Sequence, residues 1–238
     1  MSAASSAPAA AEALTEALCS QWQASNPAGP ELSRPVARQL IEFAELLHHW
    51  NRVHSLTAVE TMADSVERHL LDALSAWPGV LGRLDAWPNP SLCDVGSGTG
   101  VPGLPLALVM PALRVDLVER VARKAAFLRH ACARLGLSQR LQVYHKDVTT
   151  LGPPQPYAMI VSRAFAPFES FLEWTFHLSG AGTTWLYMAG KLSEIKNLKN
   201  DLYHHPTLGD RLGDLQIEPV RLKTTAAERH LIWIRRLS

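Results

Sequence analysis

The chain has 238 residues, 47% of them apolar, and a formal net charge of +1. That length holds one large α/β domain, or such a core with an added helical section. No apolar run is long enough to span a bilayer, and the near-neutral charge balance alone gives no argument for a nucleic-acid partner.

The opening MSAASSAPAAAEA lacks the basic flank and apolar centre of a secretory signal and reads as a disordered tail over residues 1–13. A helical section is expected over residues 14–85. Within it, PVARQLIEFAELLHHWNRVH (35–54) sets Val36, Leu40, Phe43, Leu47 and Trp50 on one helical face. A second helix is expected from Met62 to Trp77, ended by Pro78 and Gly79, with a turn from Trp87 to Pro90. From residue 86 to 238 the pattern changes. SLCDV leads to a helix from Pro102, and RVDLVE to a helix from Val121 to Leu135. LQVYH and YAMIVS follow, then a helix near Glu169 to Leu178, the strand TTWLYM, a Lys-rich helical stretch, and LQIEPVRL and RHLIWIRRL. Alternating strands and helices predict an α/β fold with a mostly parallel sheet covered on both faces, one of the last two strands running antiparallel.

The loop DVGSGTGVPGLPLA, Asp94 to Ala107, can be read in two registers. From Gly98 it is G-x-G-x-x-G, a dinucleotide fingerprint, and predicts an NAD-dependent oxidoreductase. From Asp94 it is D-x-G-x-G-x-G, the nucleotide loop of methyl-group transferases that use S-adenosylmethionine. In both, glycines let the backbone approach a ligand and the following helix presents free amides. Three features favour the second register. Asp94 stands where a carboxylate can hold the ammonium of a methionine moiety, the loop lies mid-chain behind a helical section, and VDLVE ends in Glu119, placed for ribose hydroxyls. Asp94 as a mere turn cap is the plain alternative.

With the loop read this way, the surrounding words resemble the bacterial 16S ribosomal RNA guanine-N7 methyltransferase G family, also called glucose-inhibited division protein B. WNRVHSLTAVE resembles its W-N-x-x-x-N-L-T, and RHLLDALS its R-H-x-x-D-S-x. DVGSGTGVPGLPLA fits D-V-G-x-G-x-G-x-P-G-x-P-L, and ARKAAFLR resembles G-K-R-x-x-F-L. IVSRAFAPF resembles V-I-S-R-A-F-A, and ERHLIWI matches the late E-R-H-L strand. The resemblance runs from about Leu40 to Ile234 and implies the class I S-adenosylmethionine-dependent methyltransferase (Rossmann-like) fold. It implies methylation of N7 of a guanine in the decoding-region loop of 16S ribosomal RNA, in the cytoplasm. Carried over by position, the methyl-donor site takes in Asp94, Gly96, Gly98, Gly100, Val101, Glu119, Asp147, Val148 and Arg163. Asp147 and Val148 bracket the adenine, and Arg163 lies beside the reacting centre. The chain departs from the family at Ser55 (Asn there), Ala73 (Ser), Ala126 (basic) and Lys191, displaced within MAGK.

SRAF is not the Asn/Asp-Pro-Pro-aromatic box of exocyclic-amine methylation, and Cys93 and Cys132 fall within a strand and a helix, unsuited to nucleophilic attack. Guanine N7 has a free lone pair and no proton to lose. No dedicated general base is therefore expected, and Arg163 is expected to orient the guanine or balance charge, with an ordinary ion pair at a strand end as the plain alternative. From Arg120 to Lys146 the residues Arg120, Arg123, Lys124, Arg129, Arg134, Arg140 and Lys146 are interrupted by no acid, a pattern suited to phosphates. Arg123, Lys124 and Lys191 are the RNA-binding candidates, with Lys196 and Lys199 weaker. A solvated helix face is the plain alternative. His69 and Asp72 are expected to form a buried hydrogen bond that fastens the helical section to the sheet rather than a catalytic pair, and Trp50, Trp77 and Trp174 to be core rather than base-stacking platforms. Cys19, Cys93 and Cys132 are odd in number and widely spaced, which fits a reducing cytoplasm. His48–His49 and His204–His205 lack partners at metal spacing, so no metal site is expected. The partner is 16S ribosomal RNA or the small subunit, with no membrane, and the protein is expected to be a monomer. A non-catalytic RNA-binding ribosome assembly factor is the third reading, motivated by the basic run and the departures near Lys191.

Overall fold

The computed structural model describes residues 6–59, 61–190, 202, 208–220 and 228–238. Helix α1 (Ser6–Ser25) begins inside the stretch expected to be disordered. The reason lies in packing: Leu18 and Trp22 are buried, and Trp22 stacks on Trp77 at 5.5 Å. Helix α2 (Arg34–His54) follows the predicted apolar stripe, burying Leu40, Phe43 and Leu47. Its C-cap is Ser55 in the left-handed region (φ 47, ψ 57), a place where the family's Asn is the easier residue.

The expected helix from Met62 to Trp77 forms, but in pieces. It comprises α3 (Met62–Ser65), a π-helical turn (Val66–Leu71) and α4 (Asp72–Leu74). Pro78 and Gly79 do not end it; they lie in the first turn of α5 (Trp77–Leu84). Proline suits a first turn, where its missing N–H costs nothing. Gly79 serves contact rather than termination: a Cβ there would fall 2.5 Å from Cζ2 of Trp233.

The strands are β1 (Ser91–Val95), β2 (Arg114–Val118), β3 (Leu141–Tyr144), β4 (Met159–Arg163), β5 (Thr184–Ala189), β6 (Gln216–Val220) and β7 (Arg229–Arg235). Among the described residues they form one sheet in the order β3-β2-β1-β4-β5-β7-β6. β7 runs antiparallel to both neighbours, as expected for one of the final pair. Helices α6 (Gly103–Val109), α7 (Ala122–Arg134) and α8 (Phe168–Thr175) complete the crossovers. Strand alternation divides the core. Leu92, Val115, Leu117, Met159, Val161, Leu186 and Trp233 face one cluster shared with α2, α6 and α7. Cys93, Val95, Ile160, Trp185 and Ile232 face a second cluster with α8. The helical section thus packs into the same core as the sheet. Chain order reverses between β1 and β4, so the carboxyl ends of these strands open a crevice where ligands of such sheets bind.

Gly79→Ala sets two effects against each other. Alanine gains roughly 1 kcal/mol of helix propensity, but its methyl overlaps the buried Trp233 indole, over whose ring the Arg83 guanidinium lies 3.9 Å from the centroid. Overpacking costs typically 1–3 kcal/mol, and here it wins. Thermal unfolding should show Tm lowered by roughly 2–6 °C, and a raised Tm would contradict the packing role.

Candidate functional site

Two cavities open at the carboxyl ends of the strands and meet at Ala164. The larger, about 690 Å³, is lined by Gly96, Val118, Glu119, Arg120, Val121, Lys124, Lys146, Asp147, Val148 and the segment from Ala164 to Pro167, with Trp174. Glu119 is buried at the end of β2. Its Oε2 accepts the Gly98 N–H at 2.9 Å and its Oε1 the Val121 N–H at 2.7 Å. Each oxygen keeps a lone pair for a ribose hydroxyl. Asp147 caps the turn after β3, its Oδ1 accepting from Thr149 N at 3.0 Å and Thr149 Oγ1 at 2.8 Å. These bonds from Thr149 hold its carboxyl below the usual range, so it presents a charged acceptor to the cleft that Glu119 also lines. Gly96 (φ 65) lines the floor, where the absence of a side chain admits the Phe165 ring. Two acids lining one cleft, each with acceptor capacity to spare, could hold the hydroxyls and amine of an adenosine.

Asp94 is placed differently from its expected role. The two-residue period of β1 turns it to the same face as Leu92, under the start of α6. There its Oδ2 accepts the Gly103 N–H at 3.0 Å, while Oδ1 is buried with no partner among the described residues. It does not line the cleft, and neither does Val101, which is buried in the larger core cluster. Gly98 gives its N–H to Glu119, and Gly100 packs beside Leu104 and Leu128, so both shape the turn.

The second cavity, about 420 Å³, draws together residues from widely separated words of the sequence. Thr57 to Val59, Arg68, His69, Asp72, Arg163, Gly190, Arg229 and His230 all line it. Asn51 builds one wall, with Oδ1 accepting the Thr57 N–H at 2.8 Å and Nδ2 donating to Val59 O at 3.1 Å. The expected His69–Asp72 hydrogen bond is replaced by a convergence on Arg163. Arg163 donates to Asp72 Oδ2 at 3.0 Å, to the Arg68 carbonyl at 2.9 Å and to His69 Nδ1 at 3.3 Å. Arg229 donates to Asp72 Oδ1 at 3.1 Å. One buried carboxylate thus bridges two guanidiniums.

Tautomers follow from these partners. Arginine only donates, so His69 Nδ1 accepts and Nε2 carries the proton, pointed at Thr57 Oγ1 3.4 Å away. Burial, then the charges of Arg163 and Arg68, push the His69 pKa down to about 4, so the ring is neutral. His230 is the reverse: a carbonyl only accepts, so its Nδ1 donates to Gly190 O at 2.9 Å, which leaves Nε2 for another partner.

The basic run divides by position. Arg120, Lys124 and Lys146 line the larger cleft, and Arg123 is exposed at the start of α7. Arg140 instead holds the carbonyls of Ala107 and Leu113 at 2.9 Å, and Arg134 pairs with Glu42 at 3.7 Å. Trp77 is core as expected, and Trp50 packs on Phe127, but Trp174 is exposed at the cleft mouth. Lys191, Lys196, Lys199, His204 and His205 lie outside the described residues.

The fold is that of the class I S-adenosylmethionine-dependent methyltransferases. It is shared with the plantazolicin methyltransferase BpumL, solved in complex with SAH, at TM-score 0.57 and 12% identity over 84% of this chain and 97% of that one. The family described as rRNA small subunit methyltransferase G matches residues 36–206, and the chain belongs to it. Ribosomal RNA small subunit methyltransferase G of Ectopseudomonas mendocina is 38% identical over 215 residues, 87% of this chain and 91% of that protein. Its counterpart in Methylobacillus flagellatus is 35% identical over 211 residues, 87% and 92% respectively.

Burial raises the Asp94 carboxyl from 3.8 to about 7, against the Gly103 hydrogen bond, which lowers it. The folded protein therefore keeps a proton that the unfolded chain releases. The stability this contributes is complete below about 3.8 and is lost as pH rises through about 7. In Asp94→Asn, which has no such proton, Tm should change less between about pH 5 and 8 than in the parent protein. An equal slope in both would place the titrating group elsewhere.

Proposed function

We infer that this protein transfers a methyl group from S-adenosylmethionine to N7 of a guanine in 16S ribosomal RNA of the small subunit. The observation that carries the reading is the meeting of the two cavities at Ala164, the acid-sided cleft on one side and the guanidinium-lined cavity on the other. Bound in the larger cleft, S-adenosylmethionine supplies a methyl on a positively charged sulfur, open to in-line displacement. Glu119 and Asp147 hold the adenosine end, Val148 packs beside it, and Gly96 lets Phe165 close in as a wall of the cleft.

The smaller cavity takes the guanine. Its guanidiniums, Arg68, Arg163 and Arg229, outnumber the single carboxylate, Asp72, and so favour the O6 edge or a phosphate. An arginine bonded to N7 itself would occupy the lone pair that must attack. Arg163 therefore orients the base through O6 while its other donors hold the cavity wall. In the neutral ring, Nε2 of His230 is an acceptor and suits the N1–H of guanine. N7 attack releases no proton, which agrees with the commitment of both Asp72 and neutral His69 to Arg163. Arg123, Lys124 and Lys191 are the proposed phosphate contacts. Among the described residues no helix is long and apolar enough to cross a membrane, and the RNA substrate implies work in the cytoplasm.

Mass spectrometry of digested ribosomal RNA tests base, atom and substrate together. One N7-methylguanosine of the small-subunit RNA should vanish when the protein is removed and return when it is restored. Identical RNA in both states would refute the assignment.

A further inference from the structure

Among the described residues the exposed large apolar side chains are Val53, Leu81, Val121, Trp174, Ile217 and Leu237, and Trp174 is the one aromatic among them. Two of the six, Val121 and Trp174, border the larger cleft. α8 anchors itself through Phe168, Phe171, Leu172 and Thr175, so the Trp174 indole is left 43% exposed beside the cleft mouth. Its orientation is nonetheless fixed. Phe165 meets it edge to face, with centroids 5.8 Å apart and planes at 76°, and Phe165 rests against the bare backbone of Gly96.

Charge indicates what such a ring is for. Arg120, Lys124 and Lys146 line the same cleft as Trp174. The methyl donor carries a sulfonium, an ammonium and a carboxylate, net positive, and gains nothing from three further cations. An RNA strand does: a rigid aromatic face beside basic side chains is the arrangement that binds unpaired nucleotides, by stacking and phosphate attraction.

We propose that Trp174 is a stacking platform for an unpaired RNA base next to the methylated guanine, with Arg120, Lys124 and Lys146 holding the adjoining phosphates. This rests on the RNA-substrate reading above. It makes Trp174 a specificity residue of the RNA side of the cleft. The adenine of the methyl donor has the same stacking chemistry, so the test separates the two.

The experiment measures kcat and KM on small ribosomal subunits isolated without the modification, and calorimetric affinity for S-adenosylhomocysteine, in the parent protein, Trp174→Leu and Trp174→Phe. Stacking on one base implies a KM about 10-fold higher or more in Trp174→Leu, with kcat within about twofold. Trp174→Phe, which keeps an aromatic face, should recover most of that loss. Affinity for S-adenosylhomocysteine should stay within about twofold in both, which also reports an intact fold. An unchanged KM in Trp174→Leu overturns the platform, and so does a matching loss of S-adenosylhomocysteine affinity, which would assign the ring to the donor's adenine. A parent protein that methylates no small-subunit RNA defeats the underlying reading instead, and the platform with it.

Discussion

A single carboxylate holds the smaller cavity of this molecule together. Asp72, with its side chain 5% exposed, lies between Arg163 at the end of β4 and Arg229 at the start of β7. Removing a carboxylate from water costs several kcal/mol, and here two guanidiniums offset it. The ion pairs join the helical section to two strands that lie on either side of β5 in the sheet. The π-helical turn from Val66 to Leu71 sets the spacing that lets Arg68 O, His69 and Asp72 all reach Arg163. Take away the carboxylate and two cations face each other across a cavity whose walls they were holding.

The backbone completes the division of labour. Ala164 sits at φ 53, in the left-handed region, a strained conformation for alanine. It lies between Arg163, which lines the smaller cavity, and Phe165, which lines the larger one. One strand end thereby contributes to both cavities at their junction, which under the proposed function is where methyl donor and acceptor atom meet. The larger cleft carries Glu119 and Asp147 beside Arg120, Lys124 and Lys146, acids and cations lining one space.

Much of this was legible in the sequence, for identifiable reasons. Strands with β-rich composition and helices with an apolar stripe were found because local pattern and burial agree there. Glu119 and Asp147 could be picked out because a strand end followed by a helix or turn fixes where a side chain emerges, and both line the larger cleft. Asp94 was misplaced because the same alternation that marks β1 as a strand also turns it inward, and that face is known only once α6 is packed on it. Pro78 and Gly79 looked like a helix end, but the glycine answers to Trp233, more than a hundred residues away. Arg134 and Arg140 looked like RNA contacts until Glu42 and the carbonyls of Ala107 and Leu113 came within reach of them. The convergence of WN…SLT, RHLLD, SRAF and ERH on one cavity is a property of topology. Resemblance marked these words together, and only the fold explains why.

Asp72 and the two arginines it bridges line the smaller cavity and none of them lines the larger, so under the proposed function the bridge serves the RNA base and not the methyl donor. Asp72→Asn tests this most directly, with S-adenosylhomocysteine affinity measured beside methyl transfer to small-subunit RNA on the same preparation. The account predicts affinity within about threefold of the parent and transfer lower by about 100-fold, the rate equivalent of losing roughly 3 kcal/mol from a broken buried ion pair. Transfer at the parental rate, or loss of S-adenosylhomocysteine binding in step with it, would contradict the separation of the two sites.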